Sequence, residues 1–264
     1  MSHDKIGVAI TTRNRRETLD LFLMHFRAFS KVADIVIVDD SSDCPLTDLK
    51  VEGLNIHYFY SPERLGIAKA KNKCLSELYK LKSTHFFLLD DDAFPQKTGW
   101  EDYYINTGLE AEIPHLTYNN KEWWIPHVES LPNIDVYSHS SGILLYYTKE
   151  ILDKIGGFDL RFGLWGFEHI QHSNRAYLVC EKTKHKASDV RYRNHFVPAI
   201  NTAFFSPSKC TEYIYSLDID YPRYRTPLMG NTEVKVASST LGSERSSDAV
   251  TEFVRNCEIY YPII

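Results

Sequence analysis

Short apolar runs alternate with helix-like segments over the first hundred residues of the chain. Between the runs, apolar positions spaced three and four apart predict one helix that begins near Arg16 and another over Ile67–Leu81. The predicted strands cover Ile6–Thr11, Ile35–Val38, Ile56–Tyr60 and His85–Leu89. Strands that alternate with helices in this way predict βαβ units, and therefore an α/β fold with a mostly parallel central sheet flanked by helices.

The pattern is less regular after residue 100. It predicts a strand over Ser141–Tyr147, a helix over Lys149–Ile155 that ends at Gly156-Gly157, and a helix from about Ile170 to Val179. Several aromatic residues fall in segments that we expect to be loops: Trp100, Tyr103, Tyr104, Trp123 and Trp124. Residues 205–264 are rich in Ser, Thr and Pro and only weakly periodic. We expect one domain over 1–204, in halves 1–100 and 101–204, followed by an irregular extension over 205–264.

Charge and cysteine usage exclude some classes of protein. The net charge of −5 gives no general reason to bind nucleic acid or an anionic membrane. The basic stretch Lys182–Arg193 lacks interleaved aromatic residues, which favours a solvated loop. The five cysteines are scattered without CxxC spacing, so they predict neither a zinc site nor a disulfide framework. The N-terminus is polar and predicts no signal peptide or membrane span. Together with the cysteine usage, it favours a cytoplasmic protein, unless an anchor lies outside the sequence.

Polar residues stand where three predicted strands end: Thr11-Thr12, Asp39-Asp40 and Asp90-Asp91-Asp92. In open α/β sheets, ligands bind in the crevice beyond the carboxyl ends of the strands. These side chains are therefore expected to converge in space.

The three consecutive aspartates suit a hard cation such as Mg²⁺ or Mn²⁺ that also binds a diphosphate. A solvated acidic turn or a helix N-cap would use the same residues, but adjacent like charges repel unless a cation offsets them. Asp39-Asp40 could likewise cap a turn or accept hydrogen bonds from a nucleobase or ribose. Neither GxGxxG nor a P-loop occurs in the chain.

Four segments in this order resemble the signatures of family 2 glycosyltransferases with the GT-A, Rossmann-like fold: Val8–Arg15, Ile35–Ser42, Arg64–Asn72 and Phe87–Asp92. The resemblance implies that the nucleotide is bound by Thr11, Thr12, Arg13, Arg15, Asp40, Lys71, Asp90 and Asp91. Within this set Thr11 and Arg13 would flank the base, Asp40 would pair with it, and Asp90 or Asp91 would touch the ribose. The resemblance also implies Asp92, with Asp90, as ligands of the metal.

A second resemblance covers Gly156–Asp159 and Gly163–His169. These segments resemble the Trp-Gly-Gly-Glu-Asp segment of galactosyl- and N-acetylgalactosaminyltransferases, although Phe167 replaces a glycine and His169 stands at the aspartate position. The resemblance implies that this acidic pair contains the catalytic base; Glu168 is favoured and His169 is the alternative, since a carboxylate or an imidazole can take the proton of an acceptor hydroxyl. Glu168 could also act only as a favourable acid at a helix N-terminus.

Further residues follow from the same resemblance. A histidine after this segment completes the metal site in galactosyltransferases, which implies His195, or failing that His185. We expect Trp165, Gly166 and Trp124 to contact the sugar or the acceptor, although burial in the core is the alternative for the tryptophans.

The expected activity is metal-dependent transfer of a sugar from a nucleoside diphosphate sugar, with UDP favoured, to an acceptor hydroxyl with inversion; retention stays open. One alternative is a sugar-nucleotide nucleotidyltransferase, although Ile10–Arg16 lacks the glycine-rich loop typical of those enzymes. The other is a non-catalytic nucleotide-sugar-binding protein. The acceptor stays open among a glycan, a peptide, a lipid, a small molecule and a modified DNA base, and residues 205–264 are expected to form a lid or an acceptor-side element.

Overall fold

The computed structural model describes residues 4–118, 127–137, 140–160, 168–182, 197–200 and 205–206. The strands in these ranges are β1 (Ile6–Thr12), β2 (Asp34–Asp40), β3 (Asn55–Ser61), β4 (His85–Asp90), β5 (Phe94–Pro95), β6 (His115–Tyr118), β7 (His127–Leu131), β8 (Ile134–Tyr137), β9 (Leu144–Thr148), β10 (Val197–Ile200) and β11 (Phe205–Ser206). The helices are α1 (Arg16–Phe29), α2 (Ile67–Lys80), α3 (Trp100–Glu110), α4 (Lys149–Ile155) and α5 (Glu168–Lys182).

Nine strands form one sheet in the order β3-β2-β1-β4-β9-β6-β10-β8-β7. The first four are parallel, and β9 runs antiparallel between β4 and β6. Helix α2 packs against β1, β2 and β4. The side chains of Val8–Ile10 and Ile35–Ile37 are fully buried, as expected for central parallel strands that are covered on both faces. The prediction of a mostly parallel α/β fold is confirmed.

The first hundred residues match their predicted elements closely. Strands β1 to β4 and helix α2 differ from the predicted ranges by no more than two residues at either end, and α1 begins at the predicted Arg16. Helix α4 has its predicted bounds, and it ends where Gly156 adopts a φ of 69°. These elements contain long apolar patterns with clear polar or glycine boundaries, which are the strongest signals in a sequence.

Two expectations for the second half are wrong in detail. Trp100, Tyr103 and Tyr104 lie in α3 and not among loops, because Trp100 and Tyr104 are fully buried on one helical face. The strand predicted over Ser141–Tyr147 begins only at Leu144, since Gly142 has a left-handed φ of 83° that interrupts extended backbone. Trp123 and Trp124 lie outside the described residues.

Helix α5 is longer than the predicted helix and begins at Glu168 itself. Strand β11 lies at the start of the expected extension and pairs antiparallel with β5. In the part of the chain that the structure describes, no helix is long and apolar enough to cross a membrane.

An aromatic cluster fills the core between the sheet and α3. The ring of Phe87 packs edge-on against Trp100 and Tyr104, with centroid distances of 5.0 and 5.8 Å, and lies 4.9 Å from the ring of Tyr146. The cluster joins β4 and β9 to α3, just behind the strand end that carries the aspartates.

We expect Phe87→Ala to lower the free energy of unfolding by about 3 to 5 kcal/mol, because it leaves a cavity among these rings. The matched control is Leu109→Ala on α3. The Leu109 side chain is 62% exposed, so this substitution should change the free energy of unfolding by less than about 0.5 kcal/mol. Urea denaturation of both variants measures the difference, and equal losses would contradict the assigned core.

Candidate active site

The polar ends of β1, β2 and β4 meet at the carboxyl edge of the sheet. In register, Thr12 lies opposite Asp39 on β2, and Thr11 lies opposite Asp90 on β4. The hydroxyl of Thr12 donates a 2.6 Å hydrogen bond to Oδ2 of Asp91, across 79 residues of sequence. The expected convergence of these strand ends therefore occurs.

Asp91 is the buried centre of this group, with 1% of its surface exposed. Its Oδ1 accepts a hydrogen bond of 2.9 Å from Nη1 of Arg15, and the same nitrogen lies 3.5 Å from Oδ2 of Asp92. Burial would lower the pKa of Arg15, but the charges of Asp91 and Asp92 outweigh it and raise that pKa above its ordinary value. Thr12 and Arg15 thus satisfy both carboxylate oxygens of Asp91, whereas the ion-pair contact of Asp92 with Arg15 is longer.

Asp92 and Asp90 are the carboxylates that fit a cation. Loss of hydration raises the pKa of Asp92 to about 7, and the neighbouring charges of Asp91 and Asp90 add to this rise. The side chain of Asp90 is 34% exposed and lies 4.0 Å from Nζ of Lys71. A divalent cation would offset this crowding of negative charge, and carboxylate oxygen is the donor that Mg²⁺ and Mn²⁺ prefer.

No group of three or more His, Cys, Asp and Glu side chains in the described ranges is arranged to enclose a metal by itself. A cation at Asp92 and Asp90 would therefore need ligands from another source, as Mg²⁺ does where substrate phosphates complete its shell. The predicted third ligand, His195, and its alternative, His185, lie outside the described residues.

The loops after β1 and β2 are tied to each other. Asn14 has a left-handed φ of 53°, and its backbone N–H donates to Oγ of Ser42 at 2.8 Å. Its side-chain oxygen accepts from the backbone N–H of Asp43 at 2.8 Å. Ser41 is also left-handed, with a φ of 65°. Asparagine tolerates this conformation well, which is the one sequence signal that could have identified Asn14 as a loop-fixing residue.

The two aspartates at the end of β2 have structural partners. Asp39 is fully buried and accepts from the backbone N–H of Ser42 and from the hydroxyl of Tyr58, at 2.9 and 2.7 Å. The carboxylate of Asp40 accepts from the backbone N–H groups of Leu65 and Gly66, at 2.5 and 3.2 Å. Asp40 therefore fixes the turn that enters α2.

Arg13 lies in the loop after β1 and is partly buried. Its Nε is shielded from solvent and has no hydrogen-bond partner within the described ranges. A buried donor without a partner is costly.

A buried ion pair joins the two halves of the site. Nζ of Lys71 on α2 donates to Oε1 of Glu168 at the start of α5, at 3.2 Å, and both side chains are at most 4% exposed. Burial alone would raise the pKa of Glu168, but Lys71 and the hydrogen bond from His169 lower it below its ordinary value. Glu168 is therefore ionised, and Lys71 connects it to Asp90.

His169 extends this group toward solvent, with 19% of its side chain exposed. Its Nδ1 lies 3.2 Å from Oε1 of Glu168. The ring lies directly over Gly142, where an added Cβ would come within 2.7 Å of the ring carbon Cγ. The structure thus places both predicted base candidates together. The predicted sugar contacts Trp165, Gly166 and Trp124 lie outside the described residues.

The comparisons with known proteins agree with this architecture. Residues 7–104 match the sequence model of Glycosyl transferase family 2. The matched segment covers β1 to β4 and the acidic strand ends, whereas Glu168 and His169 lie after it. No curated protein sequence matches the chain.

Three solved structures show the same fold. A mannosyltransferase, PcManGT from Pyrobaculum calidifontis in complex with GDP-Man and Mn²⁺, is 14% identical over 76% of this chain and 55% of its own, with a TM-score of 0.51. TarS 1-349 of S. aureus in complex with UDP-GlcNAc is 15% identical over 76% of this chain and 57% of its own, with a TM-score of 0.53. GalNAc-T7 with UDP, GalNAc and Mn²⁺ is 11% identical over 98% of this chain and 55% of its own, with a TM-score of 0.55.

At these identities the likeness shows the fold, which is the GT-A glycosyltransferase fold. The chain spans little more than half of each of these three proteins.

We expect Asp91→Asn to lower the free energy of unfolding by roughly 2 kcal/mol, since it weakens charge-assisted hydrogen bonds from Thr12 and Arg15 to a buried carboxylate. The control is Asp102→Asn, whose ion pair with Lys31 is about half exposed and should contribute under about 1 kcal/mol. Urea denaturation of the two variants is the measurement. A loss at Asp91 no larger than that at Asp102 would show that Asp91 does not organise the strand ends.

Proposed function

We propose that this chain is a metal-dependent glycosyltransferase that moves a sugar, a hexose or a relative of one, from a UDP-sugar to an acceptor hydroxyl with inversion. One observation carries the proposal: the aspartates at the end of β4 meet Thr12 and Arg15 from the end of β1, inside the segment that matches a glycosyltransferase family, and lie beside the buried Lys71–Glu168 pair.

The nucleotide would lie across the ends of β1, β2 and β4. Thr11 and Arg13 would flank the base, as the resemblance of Val8–Arg15 to the family signature implies. Asp40 would accept from the base with the lone pairs that the α2 turn leaves. Asp90 or Asp91 would meet the ribose, and Thr12, Arg15 and Lys71 would hold these aspartates in place.

Asp92 and Asp90 would hold Mn²⁺ or Mg²⁺, with His195 as a third ligand. Such a cation supplies a Lewis acid that offsets the negative charge of the departing diphosphate. The raised pKa of Asp92 and the family of the matched segment support this assignment.

Glu168 and His169 would together remove the acceptor proton. An ionised carboxylate only accepts hydrogen bonds, so Nδ1 of His169 carries the proton of their contact, and in the neutral imidazole Nε2 is then the proton acceptor. We therefore assign Nε2 of His169 as the base and Glu168 as the group that orients it, as a carboxylate does in other imidazole sites. Direct proton removal by Glu168 is the alternative.

In the proposed step, the acceptor oxygen loses its proton to the base and attacks the anomeric carbon. The bond from that carbon to the diphosphate oxygen breaks on the opposite side, which inverts the configuration. Trp165, Gly166 and Trp124 would contact the sugar or acceptor, and residues 205–264 would contribute to the acceptor side or a lid. The scattered cysteines favour a reaction in the reducing cytoplasm.

UDP is preferred as the donor nucleotide because two of the three neighbouring structures contain UDP or a UDP-sugar. The third contains GDP-Man, so GDP-sugars belong in the assay. Free UDP without pyrophosphate supports sugar transfer, whereas pyrophosphate would indicate a nucleotidyltransferase, and binding without turnover a non-catalytic protein.

We expect Mn²⁺ to increase the affinity of the native protein for UDP, because a cation held by Asp92 and Asp90 would offset the negative charge of the diphosphate. Asp92→Asn should remove this gain, while Asp43→Asn on the exposed loop after β2 should keep it. Isothermal titration calorimetry with and without Mn²⁺ measures both. No gain in the native protein, or an undiminished gain in Asp92→Asn, would refute the metal site.

We expect His169→Asn to lower kcat for sugar transfer by roughly 100- to 10,000-fold, with KM for the donor unchanged, because it removes the proton acceptor but not the nucleotide contacts. His57→Asn, at the amino end of the sheet, is the control and should keep the native kcat. If His169→Asn retains native kcat while Glu168→Gln does not, then Glu168 is the base.

A further inference from the structure

The turn after α4 is held by side chains from two other helices. The backbone carbonyls of Ile155, Gly156, Gly157 and Phe158 are consecutive, and all four accept hydrogen bonds from buried side chains. Arg175 on α5 donates to the carbonyl of Ile155 at 2.8 Å and to that of Gly157. His172 on α5 donates to the carbonyl of Gly156 at 2.9 Å, and Asn72 on α2 donates to that of Phe158 at 2.9 Å. We name Ile155–Phe158 the clamped turn.

Asn72 uses both groups of its amide on one residue of the clamped turn. Its Nδ2 donates to the carbonyl of Phe158, and its Oδ1 accepts from the backbone N–H of Phe158 at 2.6 Å. The approach is so close that a Cβ at Gly157 would lie 2.5 Å from Oδ1 of Asn72. Asn72 therefore fixes the position of α2 relative to the clamped turn, and it is the residue that follows Lys71.

His172 makes the equivalent connection from α5, one helical turn after Glu168. Its ring stacks on the ring of Phe158 with a centroid distance of 4.0 Å. Nε2 donates to Gly156, so Nδ1 accepts from the hydroxyl of Tyr147 on β9, at 2.8 Å. Burial lowers the pKa of His172 well below its ordinary value, which keeps the ring neutral in this arrangement.

Lys71 and Glu168 belong to different helices, so their contact depends on how α2 and α5 are placed. Helix α2 is bound to the clamped turn through Asn72, next to Lys71, and α5 is bound to it through His172, one helical turn from Glu168. The ring of Phe158 also lies 5.7 Å from Nζ of Lys71. Any shift of the clamped turn would change the distance between the two charges.

We propose that the clamped turn is a positioning device for the active site, with Asn72 and His172 as positioning residues that act through Glu168 and, through Glu168, on His169. This inference rests on the proposed glycosyltransferase function. It assigns to the Gly156–Phe158 segment a role that requires no contact with substrate.

The test is a double-mutant cycle between Asn72→Ala and Glu168→Gln. We expect Asn72→Ala to lower kcat roughly 100-fold, as small misplacements of catalytic groups do, with the affinity for UDP and Mn²⁺ unchanged. The double variant should lose no more kcat than Glu168→Gln alone, because Asn72 acts only through Glu168. His85→Phe is the control, since His85 is buried and bonded to Tyr146 at the far end of β4 and should leave kcat unchanged.

If Asn72→Ala does not fold, two variants of His172 test the same proposal. His172→Phe keeps the ring stacking but removes both hydrogen bonds, whereas His172→Gln can donate to Gly156 and accept from Tyr147. We expect kcat to fall in the first variant and to recover partly in the second. Equal kcat in both variants, or independent losses in the double variant of the first series, would overturn the proposal.

The double-mutant cycle between Asn72→Ala and Glu168→Gln can also be measured by urea denaturation, which gives the free energy of unfolding and does not depend on activity. Coupled losses of unfolding free energy for Asn72→Ala and Glu168→Gln are expected if the clamped turn transmits strain between them, and additive losses would overturn the proposal. If the native protein transfers no sugar, the proposed function fails, and the denaturation cycle still decides whether Asn72 and Glu168 are coupled.

Discussion

The buried contact between Lys71 and Glu168 is the constraint on which the site depends. Two charges of this kind are costly to take out of water, and removing one partner leaves an uncompensated charge in the interior. Neither residue can therefore change alone without a large penalty. The pair connects α2, which belongs to the parallel half of the sheet, with α5 from the second half, so the strand-end aspartates and His169 form one site.

Charge balance explains why the aspartates at the end of β4 differ in their surroundings. Asp91 is satisfied by Thr12 and Arg15, and Asp90 faces Lys71. Among the side chains of the described ranges, the one ion-pair contact of Asp92 is with Arg15 at 3.5 Å, so its negative charge is the least compensated of the three. The protein thus satisfies the middle carboxylate with its own groups and leaves the outer ones for a ligand, which agrees with the proposed metal position.

Much of the first half of the fold could be predicted from the sequence, because buried parallel strands form continuous apolar runs that end sharply in polar residues. Ile35–Val38 followed by Asp39 is the clearest case. Helix α3 could not be predicted in this way, since Trp100 and Tyr104 pack against Phe87 and Tyr146 from distant strands, and those contacts outweigh the loop-like local pattern.

The candidate site shows the same division. The strand-end acids and Glu168 follow from motifs, whereas the partners that hold them do not. Nothing in the local pattern around Asn72 or His172 indicates that both bind the turn after α4, because that contact spans 86 residues in one case and depends on the placement of two helices. Roles assigned to His195, Trp124 and Trp165 fall on residues outside the described ranges and stay predictions.

The contact between Gly142 and His169 restricts how this protein can vary in evolution. A side chain at position 142 would enter the space of the imidazole, and the left-handed backbone there disfavours other residues in any case. Positions 142 and 169 should therefore change together among relatives, with a bulkier residue at the first accompanied by a smaller one at the second. A relative that keeps the histidine should also keep the glycine, even where the surrounding loop has diverged.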